Sequence, residues 1–412
     1  MLLQLSLLFY KIQASFRMTR RMKTYLLILF GIALSAPFIA SEKPWYVHYH
    51  QQNLFPAFSF KQQIKINDQI ISYEETDWKH LDAEKIIFAP VPWLQGKSDF
   101  DNAGYISPSG EQFFRDKHGK TIKMPLRFRH WLGTDKRGAD VLSGLLNGAR
   151  VSLFVGILSM LIASFLGLLS GAFAGFAGND LIKLKRGLML MLIPGVVIAF
   201  FYANVFSSDN LFIHVFQFIF VFLFVLAIFY GAGLLLSLIG YFQVKKSLPV
   251  DLILSRVIEW VVSIPRLILV LSIAAIARPS LFNLALLIGC TGWTEIARLT
   301  RAEFLKHREL DYVQSAKALG YSNWRIAIKH ILPNAITPAL TAILFGISAA
   351  ILAEAGLSFL GIGVPQNIVT WGNMLAAGKE NFQAWWLVVF PGAALFLTVL
   401  LFNSIGEKLR SR

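Results

Sequence analysis

The chain has 412 residues, of which 55% are hydrophobic and only 15% charged, and its mean hydropathy is +0.57. A soluble chain of this length carries about 25% charged residues, so the composition excludes a soluble globular protein. A net charge of +15 would suggest nucleic acid on a soluble chain, but here the basic residues gather at the ends of apolar segments, and the single cysteine, Cys290, excludes a disulfide framework.

A helix needs about 20 apolar residues to cross a hydrocarbon core of about 30 Å. The first candidate is YLLILFGIALSAPFIA (25–40), preceded by RMTRRMK. Its basic flank and small residues also fit a cleaved signal peptide, and Met18 or Met22 would make starts as natural as Met1. Residues 41–148 are a different material. They are rich in Tyr, Trp, His and Pro, and 41–130 hold 12 Lys/Arg against 11 Asp/Glu. Balanced charge and the lack of a long apolar run predict a water-facing loop domain, with short strands around EKIIFAPVPWL.

From 151 the chain turns apolar again. Candidate spans are 151–178, 186–206, 211–242 (longer than one crossing needs), 252–277, a short piece at 281–293, 336–356 and 384–402. With 25–40 this makes eight. Lys and Arg number five in 11–23, three in KLKR (183–186), two at 245–246, seven in 298–329 and three after 402. Placing every basic segment in the cytoplasm puts both termini and 298–335 inside and 41–148 outside. The expected fold class is therefore an all-α polytopic membrane protein. Its parts are a cytoplasmic N-terminus (1–22), a first transmembrane helix (23–40), an extracytoplasmic loop domain (41–148) and a transmembrane domain (149–412).

The stretch DYVQSAKALGYSNWRIAIKHILPNA (311–335) stands out against this background. Leu305, Tyr312, Val313, Ala316 and Leu319 recur on one helical face. Gly320 should end that helix, Ser322 cap a second, and Pro333 limit its continuation. The small residues Ser315, Ala316 and Ala318 would let a partner approach the backbone closely.

Few residues suggest chemistry. GKS (96–98) and GKT (119–121) lack the glycine five residues earlier that a phosphate-binding loop needs, since Val91 and Phe114 stand there. His48 and His50 have no third metal ligand at useful spacing. No catalytic arrangement and no metal site is read. Glu259, Arg266 and Glu354 are ionisable residues within spans and are candidates for the translocation path or for interhelical bonds. Glu259 and Arg266, seven residues apart, would share a face of one straight helix, two turns from each other.

The 311–335 stretch resembles the cytoplasmic coupling loop of ATP-binding-cassette (ABC) importer permeases. That loop reads Glu-Ala-Ala, three residues, Gly, nine residues, Ile, any residue, Leu-Pro. The pattern falls on Gln314, Ser315, Ala316, Gly320, His330, Leu332 and Pro333. Gln314 replaces the acidic residue and Ser315 the first alanine. HWLGTDKRGADVLSGLLNGARVSL (130–153) and LAEAGLSFLGIGVPQNIVTWGNML (352–375) resemble further segments of dipeptide, oligopeptide and nickel permeases, of the C type. ASEKPWYVHYHQQNLFPAF and IEWVVSIPRLILVL resemble the branch for larger peptides such as microcin C. The resemblance implies a non-catalytic subunit that imports peptides, with nickel or another small chelate as the alternative cargo and a stand-alone secondary transporter as the rival class. It implies a second permease chain, two ATPase subunits or a fused ATPase that binds the ATP, an extracytoplasmic binding protein, and no nucleic acid. The family has only a short turn where this chain carries 179–250, which reads as a two-helix insertion.

Overall fold

The computed structural model describes residues 20–59, 63–66, 69–73, 76–81, 83–116, 120–181, 183–205, 211–365 and 367–411. Met18 as an alternative start, Gly119 of GKT, and the SSDN stretch (207–210) lie outside the described residues. In chain order the helices are α1 (Arg20–Ile39), α2 (Val141–Ala177), α3 (Arg186–Val205), α4 (Leu211–Leu236), α5 (Val250–Ser263), α6 (Arg266–Ile276), α7 (Leu281–Arg308), α8 (Asp311–Ala318), α9 (Leu332–Phe359), α10 (Trp371–Glu380) and α11 (Trp386–Arg410). Short strands β1 (Tyr46–Tyr49), β2 (Gln52–Leu54), β3 (Gln63–Ile66), β4 (Gln69–Ser72), β5 (Lys85–Ile87), β6 (Phe113–Arg115) and β7 (Thr121–Lys123) fill the segment after α1, and β8 (Lys183–Lys185) and β9 (Lys245–Ser247) flank α3 and α4.

Six described helices are long and apolar enough to cross a membrane, and a bent pair, α5 with α6, makes a seventh if it is one span. The piece read as 281–293 opens α7, whose second half is charged. The stretch expected as one straight helix over 252–277 is instead broken at Pro265. Proline has no N–H to donate and its ring excludes the carbonyl four residues earlier, so the helix stops at Ser263 and restarts at Arg266. The long piece 211–242 ends its helix at Leu236 and closes in a single tight turn at Gly240–Phe242.

By packing, the chain forms two compact units. The first holds 1–169, 261–300 and 332–412. Its core joins Val155, Ala163, Leu284, Ile288, Ile296, Ala350 and Ile351, all nearly inaccessible. Small residues permit this closeness. A Cβ on Gly372 would lie 2.3 Å from the Ala355 carbonyl, so α10 can reach α9 only through glycine. Trp371 beside it donates from its indole to the Leu145 carbonyl at 2.9 Å.

The loop domain also belongs to this unit. Strands β2, β1 and β5 form an antiparallel sheet, with β5 at the EKII run as expected, over a small core of Val47, Leu54, Tyr73 and Trp78. Its last eight residues by the sequence reading, 141–148, belong to α2. At 37 residues, α2 is about 55 Å long by helical rise and exceeds any single crossing.

The second unit holds 170–260 and 301–331. In it α3 and α4 form a hairpin, tight where Gly195 faces Phe229 and Gly187 faces Ser237. At its base β8 and β9 pair antiparallel, Lys183 opposite Ser247 and Lys185 opposite Lys245.

Candidate coupling loop

Within the second unit the loop is a helical hairpin. Asp311–Ala318 makes two turns, and its end is closed by paired bonds: Gly320 N–H donates to the Lys317 carbonyl at 2.9 Å and Tyr321 N–H to the Ala316 carbonyl at 3.2 Å. This double closure needs a left-handed residue at its second position, and Gly320 supplies it at φ +75°. The Ser322 hydroxyl then accepts from the Arg325 N–H, capping the next turn, as the sequence suggests.

Two expectations fail here. Pro333 does not stop the second helix. The chain widens into a π-helical turn over Ile326–Ile331 and continues through Pro333 into α9. In the wider winding the amide bonds fall five residues back, which relieves the clash and the missing donor of proline. The predicted apolar face is also only half right. Val313 and Ala316 are buried, but Tyr312 is exposed, Leu305 is half-buried and Leu319 is 72% exposed. The helix packs against the π-helical turn of the same loop, whose Ile326 and Ile331 are inaccessible. What remains outside is Gln314, Ser315, Lys317, Ala318, Leu319, Tyr321 and Trp324, the last 74% exposed. Large apolar residues thus stand exposed beside small ones on one face of the loop.

Gln314 keeps a specific bond. Its side-chain N–H donates to the Arg308 carbonyl at 3.0 Å, tying α8 to the end of α7. A glutamate has no such donor. His330 stacks on Tyr321 at 5.6 Å, and Arg325 lies 5.4 Å above the same ring. The pair that braces this unit has no signature in the sequence. The Asp251 carboxylate takes both Arg301 Nε–H and, at 2.8 Å, its Nη2–H. No motif links two residues 50 positions apart.

The ionisable residues of the spans are placed as follows. Glu259 pairs with Arg256 at 2.7 Å on its own helix, and the break at Pro265 removes the shared straight face expected for Glu259 and Arg266. Arg266, the first residue of α6, reaches across to α7, its Nη2–H donating to the Ile288 carbonyl at 3.1 Å. Glu354 is inaccessible, accepting from Ser152 of α2 at 2.8 Å, an interhelical hydrogen bond, and from Ser358 of its own helix at 2.7 Å. Leu332 and Pro333 open α9.

Outside the spans, His48 is used structurally, bonded to Asn53 at 2.7 Å and Glu84 at 3.1 Å, and Lys97 of GKS pairs with Glu42 at 2.6 Å. Among the described residues no three His, Cys, Asp or Glu converge as a metal site. A buried charge cluster escaped the sequence reading. His130 joins Asp140 at 2.9 Å and Asp99 at 3.2 Å and stacks on Trp93 at 4.1 Å. Burial alone would push its pKa down, but the two aspartates more than offset this and raise it. Burial likewise pushes Asp99 up, and hydrogen bonds from His130 and Asn102 prevail to lower it. Burial holds Lys79, over the Trp93 ring, down at about 8.

Apolar helices of spanning length, together with a charged helical hairpin, define a polytopic membrane protein. Comparison with known proteins narrows this class. The family model for binding-protein-dependent transport system inner membrane components matches residues 233–412. Over 390 residues the chain is 28% identical to the inner membrane ABC transporter permease protein YejE of Escherichia coli, covering 93% of this chain and 89% of that one. It is 27% identical over 401 residues to the peptidoglycan transport system permease protein YejE of Agrobacterium fabrum, covering 93% and 86%. It is 29% identical over 288 residues to the probable D,D-dipeptide transport system permease protein DdpC of Escherichia coli, covering 70% and 74%. Over most of its length the chain is thus similar to ABC importer permeases, the transport components of their systems. In this class ATP is handled by ATPase partners, and cargo is delivered by a binding protein.

Proposed function

We propose that the chain is the C-type permease subunit of a peptide importer. The observation that carries this reading is similarity along 93% of its length to permeases, among relatives named for D,D-dipeptide or peptidoglycan transport. It pairs with a second permease chain, two ATPase subunits or a fused one, and an extracytoplasmic binding protein. Eight spans, counting α7 and the bent pair, place both termini in the cytoplasm and the loop domain outside. The hairpin 311–333 seats in the ATPases through Leu319, Tyr321 and Trp324. Closure of the ATPases on ATP moves this rigid element, and the helices it joins, α7 and α9, switch access from outside to inside.

An affinity pull-down of the tagged protein from gently solubilised membranes, with mass spectrometry, tests it. The expected result is an ATPase subunit that is lost when Leu319 and Trp324 are both changed to Ser, together with loss of ATP-driven peptide uptake in vesicles. Full uptake by that variant would overturn the coupling assignment, and uptake without ATP would overturn the importer reading.

A further inference from the structure

Arg266 stands where an apolar segment is interrupted, as the first residue of α6. Its guanidinium is seated on α7. Nε–H donates to the Thr291 hydroxyl at 3.4 Å and one Nη2–H to the Ile288 carbonyl at 3.1 Å. Gly292 makes the room, since a Cβ there would lie 3.0 Å from Nη2. Ile264, Leu267 and Ile268 around it are exposed apolar residues. Among the described residues Arg266 makes no ion pair. The carboxylate whose charge it senses is Glu295, one turn beyond Thr291.

A guanidinium has five N–H donors in a planar fork, so three of them remain for an acceptor. A held positive charge in an apolar segment is costly unless it meets water or an anion. A seat that fixes the arginine, without neutralising it, leaves its charge available to something that passes. We infer that Arg266 recognises the carboxylate of the transported peptide through a two-pronged, charge-assisted bond. This rests on the peptide reading above and adds a specificity-determining residue to it. The free donors of the fork suit a planar carboxylate, and the site lies on the transport chain itself, apart from the selection made by the binding protein.

The test uses the reconstituted complex in proteoliposomes, with one binding protein throughout, and compares uptake of a tripeptide with that of its C-terminal amide. The wild type should favour the free acid by about ten-fold or more, the worth of a charge-assisted pair. Arg266→Gln should bring the acid-to-amide ratio to about one, since the neutral amide has no charge to offer. Arg266→Lys should keep part of the preference, because it retains the charge and loses the fork. Gly292→Ala leaves the arginine in place and displaces its seat, so the ratio should fall there too, which keeps the test alive if Arg266→Gln fails to assemble. An unchanged ratio in these variants overturns the inference. If both uptakes fall together at that unchanged ratio, the arginine's mate is an acid of the second permease or a lipid phosphate. Failure of the wild type to import either peptide on ATP would instead remove the peptide reading itself.

Discussion

A Cβ on Gly320 would meet nothing within 4 Å, so what this position needs is conformation and not space. Gly320→Ala should therefore cost only about 1 kcal/mol, the strain of a left-handed residue with a side chain. Hydrogen exchange of the 316–321 amides would show it as faster exchange, with membrane insertion intact. Gln314 makes a different kind of contribution, because its bond to the Arg308 carbonyl requires a donor. Gln314→Glu should lose about 1 kcal/mol of local stability and free the α8 amides to exchange faster. Protection equal to that of the wild type would show that the bond carries nothing. Gly320 was legible in the sequence because a helix stop has a residue signature. Gln314 was legible only as a departure from an acidic position, since what its amide reaches depends on where α7 ends.

The same contrast holds for whole elements. Pro265 and Pro333 look alike in the sequence, yet one breaks its helix and the other is carried through by a π-helical turn. The local rule is the same, and neighbouring packing decides how it is satisfied. The approach of α10 to α9 admits no side chain at Gly372. Gly372→Ala should destabilise the first unit by about 1–3 kcal/mol, seen as a lower melting temperature in detergent. In the loop domain, His130 titrates with a raised pKa, so its contribution is complete below its ordinary value of 6.5 and is lost as pH rises through the raised one. Asp99, lowered, contributes above its ordinary 3.8 and loses this as pH falls through its lowered value. Thermal unfolding followed by tryptophan fluorescence should give a higher midpoint at about pH 6 than at about pH 8.5, and His130→Gln should flatten that difference.

For the whole molecule the distinctive feature is the α3–α4 hairpin. Its ends meet, because Lys185 stands opposite Lys245 in the β8–β9 ladder. Excising 186–244 and joining these residues through an Asn-Gly turn would leave a two-stranded hairpin of ordinary geometry. Because two helices return the chain to the side it left, downstream sidedness is kept. We expect the shortened protein to insert, to retain its ATPase partner in a pull-down, and to import peptide at close to the wild-type rate. Loss of the second permease chain from the pull-down would instead mark the hairpin as a docking surface.

The apolar runs, the basic ends, Gly320 and the Ser322 cap were readable from sequence, because each follows from what a single residue or short run can do with water, lipid or its own backbone. Spacing between distant residues carries no such signal. The Asp251–Arg301 brace, the buried seat of Glu354 between Ser152 and Ser358, the His130 cluster and the perch of Arg266 over Gly292 were decided only by tertiary structure. Each is a polar group whose burial is tolerable only with partners, and those partners come together only when the helices pack.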